Sequence, residues 1–178
     1  MNNRKALMAA FFSVPLLITA CGSDGNNPPA EYEEPLRASA ESCEFLAEGN
    51  PGHGMVQAQI EVGSGYDADA ISGAGAAGPA QLMPHTMKVF GVDGDGDGEI
   101  DPHNIDDAVA TLARINCEHA EALTQYKEQG RVTGDLLDLV IAAHFAGLNP
   151  VDASGGELLD NPAVAEEIQA VRAAMDNN

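Results

Sequence analysis

The sequence predicts an almost all-helical domain, and three observations indicate it. Apolar residues recur at helical spacing in several separate segments, stretches containing Gly and Pro divide these segments, and no stretch shows the sustained period-two alternation that predicts a strand. The chain has 178 residues, 44% of them apolar, which is enough for one domain with short appendages. We therefore expect a single, mainly α domain with a core of modest size.

Three helices are predicted in the N-terminal half. Apolar residues at helical spacing predict a helix over residues 38–48, namely Ala40, Cys43, Leu46 and Ala47. The Gly- and Pro-containing residues 49–52 end this helix. A second helix is expected over residues 55–62, because glycines follow at positions 63 and 65. Residues 79–90 predict a third helix, with apolar side chains at positions 82, 83, 87, 89 and 90.

Three further helices are predicted in the C-terminal half. Residues 105–126 combine helical apolar spacing with Asp106 and Asp107 in the first turn, where the helix dipole favours acids. Residues 136–145 are nearly all apolar, which predicts a buried central helix ended by Gly147. Residues 161–175 predict a last amphipathic helix, with Pro162 suited to its first turn.

The N-terminal residues have the features of an export signal. Arg4 and Lys5 precede an apolar run over residues 6–18, which is too short for a comfortable membrane span, and the run leads into Ile18-Thr19-Ala20-Cys21. Small residues before a Cys resemble a bacterial lipobox. We therefore expect a lipoprotein signal peptide over 1–20, a lipid on Cys21, a flexible tether over 21–37 and the folded domain over 38–178. An ordinary secretory signal with an incidental Cys is the alternative.

The charge balance restricts the partners of the chain. Eight Lys and Arg residues stand against 28 Asp and Glu residues, a formal charge of −20, and no basic stripe is present. Electrostatic binding of nucleic acid or of anionic lipid head groups is therefore not expected, and membrane contact should come through the lipid anchor alone. Export would place the protein at the membrane, facing the periplasm or cell wall. In that oxidising compartment Cys43 and Cys117 form either a disulfide or two buried free thiols.

An acidic loop over residues 93–101 has the pattern of an EF-hand calcium loop. Asp93, Asp95 and Asp97 stand at places one, three and five, Gly98 at place six and Glu99 at place seven. Three neighbouring carboxylates repel one another unless a cation lies among them, and calcium suits such oxygen ligands. We expect a structural calcium ion rather than a catalytic one. A solvated acidic turn is the alternative.

The twelfth place of this loop departs from the EF-hand pattern. That place is normally a bidentate Glu, and here it is Asn104. Asp107, or less favourably Asp106, from the first turn of the following helix is expected to close the loop instead.

Four segments, in order, resemble peptidoglycan lytic transglycosylases. Residues 78–86, GPAQLMPHT, resemble the family motif G-x-x-Q-[LF]-[MI]-P-x-[ST], and residues 60–72, IEVGSGYDADAIS, are similar to I-x-V-E-S-G-F-x-P-x-A-x-S. Residues 142–147, AAHFAG, occupy the place of A-A-Y-N-A-G, and the acidic loop resembles that of the branch related to the membrane-bound B-type enzymes. The resemblance covers about residues 39–150 and implies a lysozyme-like helical domain with a glycan groove.

The resemblance also implies a reaction, and this sequence departs from the family at the position of the catalytic acid. Family members cleave the β-1,4 bond between N-acetylmuramic acid and N-acetylglucosamine and form a 1,6-anhydro ring, with one Glu as acid and then base. The place of that Glu is Gly63 here. Glu61 is the nearest substitute, but two residues are about 200° of helix rotation, so it would face the groove only if the helix frays at Gly63.

The resemblance implies glycan contacts for Ser64, Tyr66, Gln81 and His144, the last of which replaces the family's Tyr. Three functions remain open at this point. The protein is an envelope lipoprotein that cleaves peptidoglycan through a substitute acid, or an inactive protein that binds glycan strands or assists other cell-wall enzymes, or a small calcium-binding lipoprotein.

Overall fold

The computed structural model describes residues 27–178, and this part of the chain is helical with isolated bridges in place of strands. The elements are seven α-helices and two short 3₁₀ helices. The α-helices are α1 (Ala30–Ser39), α2 (Met55–Ser64), α3 (Pro84–Phe90), α4 (Ile105–Glu128), α5 (Leu136–Ala146), α6 (Leu148–Ala153) and α7 (Pro162–Asn177). The 3₁₀ helices span Glu44–Leu46 and Glu157–Asp160.

Helix α5 lies at the centre of the core. Leu139, Val140, Ile141 and Ala142 are completely buried, because α5 packs against α4, α6 and α7. The other main contacts join α1 to α4 and α2 to α7. The predicted buried central helix is confirmed, and the mainly helical architecture confirms the predicted fold class, consistent with a lysozyme-like domain.

Two links join the N-terminal elements to the long helix α4. Gln59 of α2 and Asn116 of α4 are both buried, and the Asn116 side-chain amide donates to Gln59 Oε1 at 2.7 Å, which satisfies polar groups that would be costly to bury alone. A disulfide joins Cys43 to Cys117, the next residue along α4. These links hold α2 and the preceding turns against α4.

The structure corrects the prediction for the residues before position 49. Residues 30–37, expected to belong to the tether, lie in α1, and the helix predicted over 38–48 is absent. Tyr32 explains the first difference, since its ring is buried and its hydroxyl donates to the Tyr66 carbonyl oxygen at 2.9 Å. Cys43 explains the second, because it is fully extended (φ −162°, ψ 165°) where it meets Cys117.

The third predicted helix is shorter than expected. Helix α3 begins at Pro84, and Met83 before it has extended backbone (ψ 147°), because a residue that precedes Pro is disfavoured in helical conformation. The helices predicted over 55–62, 105–126 and 161–175 are present, with ends that differ by up to two residues. Helix α6 was not predicted, since Gly147 before it and Pro150 within it indicated a loop.

The predicted signal peptide and the lipidation site Cys21 lie outside the described residues. Among the helices of residues 27–178, none combines the length and the hydropathy needed to cross a bilayer.

Candidate functional site

A compact loop positions Gln81. Antiparallel bridges join Ile71 to Ala77 and Ala77 to Leu82, and the Gln81 side-chain amide donates to the Gly78 carbonyl oxygen at 2.8 Å. Gln81 has a φ of 49°, which is uncommon for a residue other than glycine. The bridges and the hydrogen bond together fix the direction of the Gln81 side chain.

Gly78 allows this loop to contact the acidic loop closely. Its φ is 72°, and a Cβ atom at this position would lie 1.6 Å from the Pro102 carbonyl oxygen, so no side chain fits. A second contact lies nearby, where His103 Nδ1 is 2.8 Å from the Ala68 carbonyl oxygen. The Gln81 loop and the end of the acidic loop are therefore packed together, and a change in one is expected to disturb the other.

A groove of about 560 Å³ lies beside Gln81. Helices α3, α4 and α5 and the start of α6 form its walls. Its polar and aromatic lining side chains include Gln81, Thr86, Phe90, Glu118, His119 and His144. Two of the four residues predicted to contact glycan, Gln81 and His144, thus line one cavity although 63 positions separate them in sequence.

Gly63 lies next to Gln81, which lines the groove. It lies in the last turn of α2 and is exposed, and a Cβ atom built on it would lie 3.5 Å from Gln81 Cγ, an ordinary van der Waals distance. A side chain at position 63 would therefore start beside Gln81. The family resemblance assigns the acid to this position, and a glycine supplies no proton.

Glu61 does not line the groove. Helix α2 continues through Gly63 to Ser64 and ends at Gly65, so the fraying that would turn Glu61 towards the groove is not present. Glu61 instead lies close enough to Tyr66 to contribute to raising the pKa of the Tyr66 phenol, a shift caused mainly by burial. The predicted catalytic role of Glu61 has no geometric support.

The other two residues predicted to contact glycan lie elsewhere. The Ser64 hydroxyl donates to the Ile60 carbonyl oxygen at 3.0 Å within α2. The Tyr66 ring stacks edge-on against Tyr32, with the ring centroids 5.2 Å apart. Neither Ser64 nor Tyr66 lines this groove, and their contacts with glycan stay predictions.

Two histidines form part of the groove wall. His119 of α4 and His144 of α5 are partly buried, and burial lowers the pKa of each imidazole to about 4; for His144 the neighbouring His119 contributes as well. Both rings are therefore neutral at physiological pH. The His144 ring also stacks edge-on against Phe145, with centroids 5.0 Å apart.

Sequence analysis missed His119 and Glu118. Their spacing in the sequence could have indicated them. Helical spacing places Ile115, Glu118, His119 and Ala122 on one face of α4. Two polar residues therefore lie on a stripe of the helix that is otherwise apolar. All four line the groove.

Glu118 is held by an ion pair. Arg114 Nε donates to Glu118 Oε1 at 2.8 Å, and Arg114 Nη1 donates to the Phe90 carbonyl oxygen at 3.1 Å. The guanidinium also lies over the Phe90 ring, 5.7 Å from its centroid. Among the described residues that line the groove, Glu118 is the one carboxylate, and Arg114 holds it in place.

The acidic loop brings three of the five predicted metal ligands together. Carboxylate oxygens of Asp93, Asp95 and Asp107 lie within 4.8 Å of one another, whereas Asp97 and Glu99 lie outside this group. Asp97 Oδ1 instead accepts from the Glu99 backbone N–H at 2.7 Å. The three grouped carboxylates supply only oxygen donors, a set that fits calcium.

Asp107 and Asn104 explain how the loop closes without a Glu at its twelfth place. Asp107 is buried, and its two oxygens accept from the backbone N–H groups of Gly94 at 2.7 Å and Asp101 at 2.8 Å. Asn104 caps α4 through its Oδ1 atom, and its amide donates to Asp95 Oδ2 at 2.8 Å. The first turn of α4 thus supplies the carboxylate that the loop lacks.

No solved structure matches the chain significantly. The matched family model covers part of the region just described. It contains the Gln81 loop, the acidic loop and the groove face of α4, and it leaves out Gly63 and His144. Residues 64–119 match the family described as Transglycosylase SLT domain, which supports the relationship of this part of the chain to the lytic transglycosylases.

Proposed function

We propose that the protein binds peptidoglycan glycan strands in the groove beside Gln81 and does not cleave them. The observation that carries this proposal is the combination of an intact groove, lined by the motif residues Gln81 and His144, with Gly63 at the position of the acid. The match to the transglycosylase family supports the ligand class.

The absence of cleavage follows from the chemistry of the groove. Leaving-group departure needs a proton donor, and general acid catalysis typically contributes ~10²- to 10⁴-fold in rate. Gly63 supplies no proton, Glu61 does not line the groove, and Glu118 is paired with Arg114. None of these residues therefore places a carboxylate at the position that the family resemblance assigns to the acid.

The binding must come from local contacts rather than from the overall charge. The formal charge of −20 repels a polymer that itself carries carboxylates. The groove offers uncharged imidazoles, the Gln81 side chain and the Phe90 ring, which are suited to hydrogen bonding and stacking with sugars. We therefore expect weak to moderate affinity that changes little with salt.

Calcium is proposed as a structural ion of the acidic loop. Asp93, Asp95 and Asp107 would hold it, and the ion would neutralise three carboxylates that otherwise repel one another. Because Gly78 packs against Pro102 at the end of this loop, the same ion would stabilise the position of the Gln81 loop. The ion has no proposed part in chemistry.

Anchoring at the bacterial membrane completes the proposal. The lipobox-like residues before Cys21 support an exported lipoprotein with a lipid on Cys21. Such an anchor would hold the domain near the wall, in the periplasm or at the cell wall, and we include a second cell-wall enzyme as a proposed partner. Local concentration near the glycan would then compensate for a weak affinity.

Co-sedimentation with purified sacculi tests the binding role. The wild-type domain with calcium should pellet with sacculi, and Gln81→Asn should pellet less, because Asn tolerates the positive φ but shortens the side chain by one methylene. Gln125→Asn, at an exposed position of α4 outside the groove, is the matched control and should pellet like the wild type. A wild-type domain that stays in the supernatant would contradict the proposal.

A further inference from the structure

His119 is a groove residue that the family motifs do not include, and it shares the groove with the motif residue His144. His119 and His144 come from different helices, α4 and α5, and line the same cavity. Among the described residues, neither ring takes part in a hydrogen bond to another protein group, and His119 Nδ1 is buried without a partner. A polar side chain that faces a cavity without a protein partner is available to a ligand.

The surroundings of the pair indicate which kind of ligand it suits. The charged and titratable groups that line the groove are Glu118 of α4, paired with Arg114, and His85 of α3. No Lys or Arg lines the groove within the described part of the chain. Because the one carboxylate is already paired with Arg114 and the lining holds no Lys or Arg, the groove offers no free cation to an anionic ligand.

The His119 ring has a preferred way to use its two nitrogens. A neutral imidazole has one N–H donor and one acceptor. A buried N–H group without a hydrogen-bond partner is rarer than a buried acceptor without one. The proton of the neutral ring is therefore better placed on Nε2, which leaves Nδ1 as the unpaired acceptor. With Nδ1 buried, Nε2 is the nitrogen that a ligand in the groove can reach. The ring can then donate a hydrogen bond to a ligand oxygen.

We propose that His119, together with His144, contacts the hydroxyl and amide oxygens of an uncharged saccharide in the groove and so selects uncharged sugar units over carboxylate-bearing groups. This inference rests on the proposed function, since it names the residues and the ligand chemistry of the same groove. It adds His119, which no motif of the sequence indicates, to the contact residues.

Calorimetric titration with an uncharged N-acetylglucosamine tetrasaccharide tests the inference, alongside sacculi sedimentation. His119→Leu should weaken tetrasaccharide binding by roughly tenfold, as expected for one lost hydrogen bond. His119→Gln, which restores a donor and an acceptor, should bind within about threefold of the wild type. The exposed His53, which lies outside this groove, provides the control His53→Leu, with no expected change. Circular dichroism melting establishes that each variant is folded.

The pH dependence of binding tests whether the two rings contact the ligand in their neutral form. Burial keeps both rings neutral between pH 7.5 and 5.5, so the affinity for the uncharged tetrasaccharide should stay constant over this range. An affinity that rises severalfold on acidification would mean that the rings bind as cations, which would overturn the inference.

The outcomes separate the inference from the proposed function. If the wild type pellets with sacculi and folded His119→Leu binds as tightly as the wild type, the inference is wrong and the proposed function stands. If the wild type binds neither sacculi nor the tetrasaccharide, both are wrong. Loss of binding in His119→Leu with recovery in His119→Gln supports both.

Discussion

Restoring a carboxylate at position 63 is the perturbation that most clearly separates a missing acid from a missing active site. A Cβ atom on Gly63 would lie 3.5 Å from Gln81 Cγ and 3.9 Å from Gln81 Cβ, both ordinary contacts, so Gly63→Glu should fit without displacing the groove wall. The position is helical and exposed, and removing a helical Gly typically contributes about 0.5–1 kcal/mol of stability. Gly63→Glu is therefore expected to be at least as stable as the wild type.

The expected gain in activity follows from the role of the acid. General acid catalysis contributes ~10²- to 10⁴-fold, which corresponds to about 3–5 kcal/mol of transition-state stabilisation. The assay is mass spectrometry of soluble products from sacculi, with 1,6-anhydromuropeptides as the signal. Gly63→Glu should release them, whereas Gly63→Ala, which has the same backbone effect without a carboxylate, should not.

A negative result has a definite meaning here. If Gly63→Glu is folded, pellets with sacculi and still releases no anhydro product, then the groove does not have transglycosylase geometry and the explanation based on a single lost acid is wrong. Equal product from Gly63→Glu and Gly63→Ala would also refute it, because the carboxylate would then be irrelevant.

Three further predictions concern stability. Asp107→Asn should abolish any rise in melting temperature that calcium produces over chelator. Without calcium it should lower the free energy of unfolding by about 1–3 kcal/mol, because a backbone N–H would lose its acceptor. A calcium-dependent rise that persists in this variant would exclude Asp107 as a ligand. Reducing the Cys43–Cys117 disulfide, which closes a loop of 74 positions, should lower the free energy of unfolding by about 4 kcal/mol in urea titrations, and an unchanged midpoint would contradict this. Folding lowers the pKa of His119 and of His144 from 6.5 to about 4, so the unfolded chain binds more protons than the folded chain between these pH values. The free energy of unfolding should therefore fall as the pH falls from 7 to 5, by roughly 2 kcal/mol for each ring. His144→Leu should remove about half of that pH dependence, and an unchanged dependence would show that the imidazoles are not its source.

Local patterns in the sequence were sufficient to predict the strongly periodic helices. The apolar run of α5 predicted a buried centre because four consecutive residues, Leu139 to Ala142, can all be buried only when neighbours surround the helix. Helix α1 escaped prediction because it buries little beyond Tyr32 and Pro35, and its contact with Tyr66 is a tertiary interaction over 34 positions. The apolar periodicity of the sequence gives no indication of such a tertiary contact.

The site was predictable where a motif fixes local geometry and not where distant helices meet. The closure of the acidic loop by Asp107 followed from its place in the first turn of α4, and the structure brings Asp107 to Asp93 and Asp95. His119 was missed because only the packing of α4 against α5 brings it beside His144. The position of Tyr66 outside the groove was not predictable, since its stacking on Tyr32 depends on the unpredicted α1.

The most direct test of the central claim, binding without cleavage, is to incubate the wild-type domain with calcium on sacculi and to analyse both the pellet and the soluble products, with Glu61→Gln in parallel. We expect the protein to pellet and no 1,6-anhydromuropeptides to appear in either sample. Anhydro products from the wild type would contradict it, and their loss in Glu61→Gln would locate the acid at Glu61.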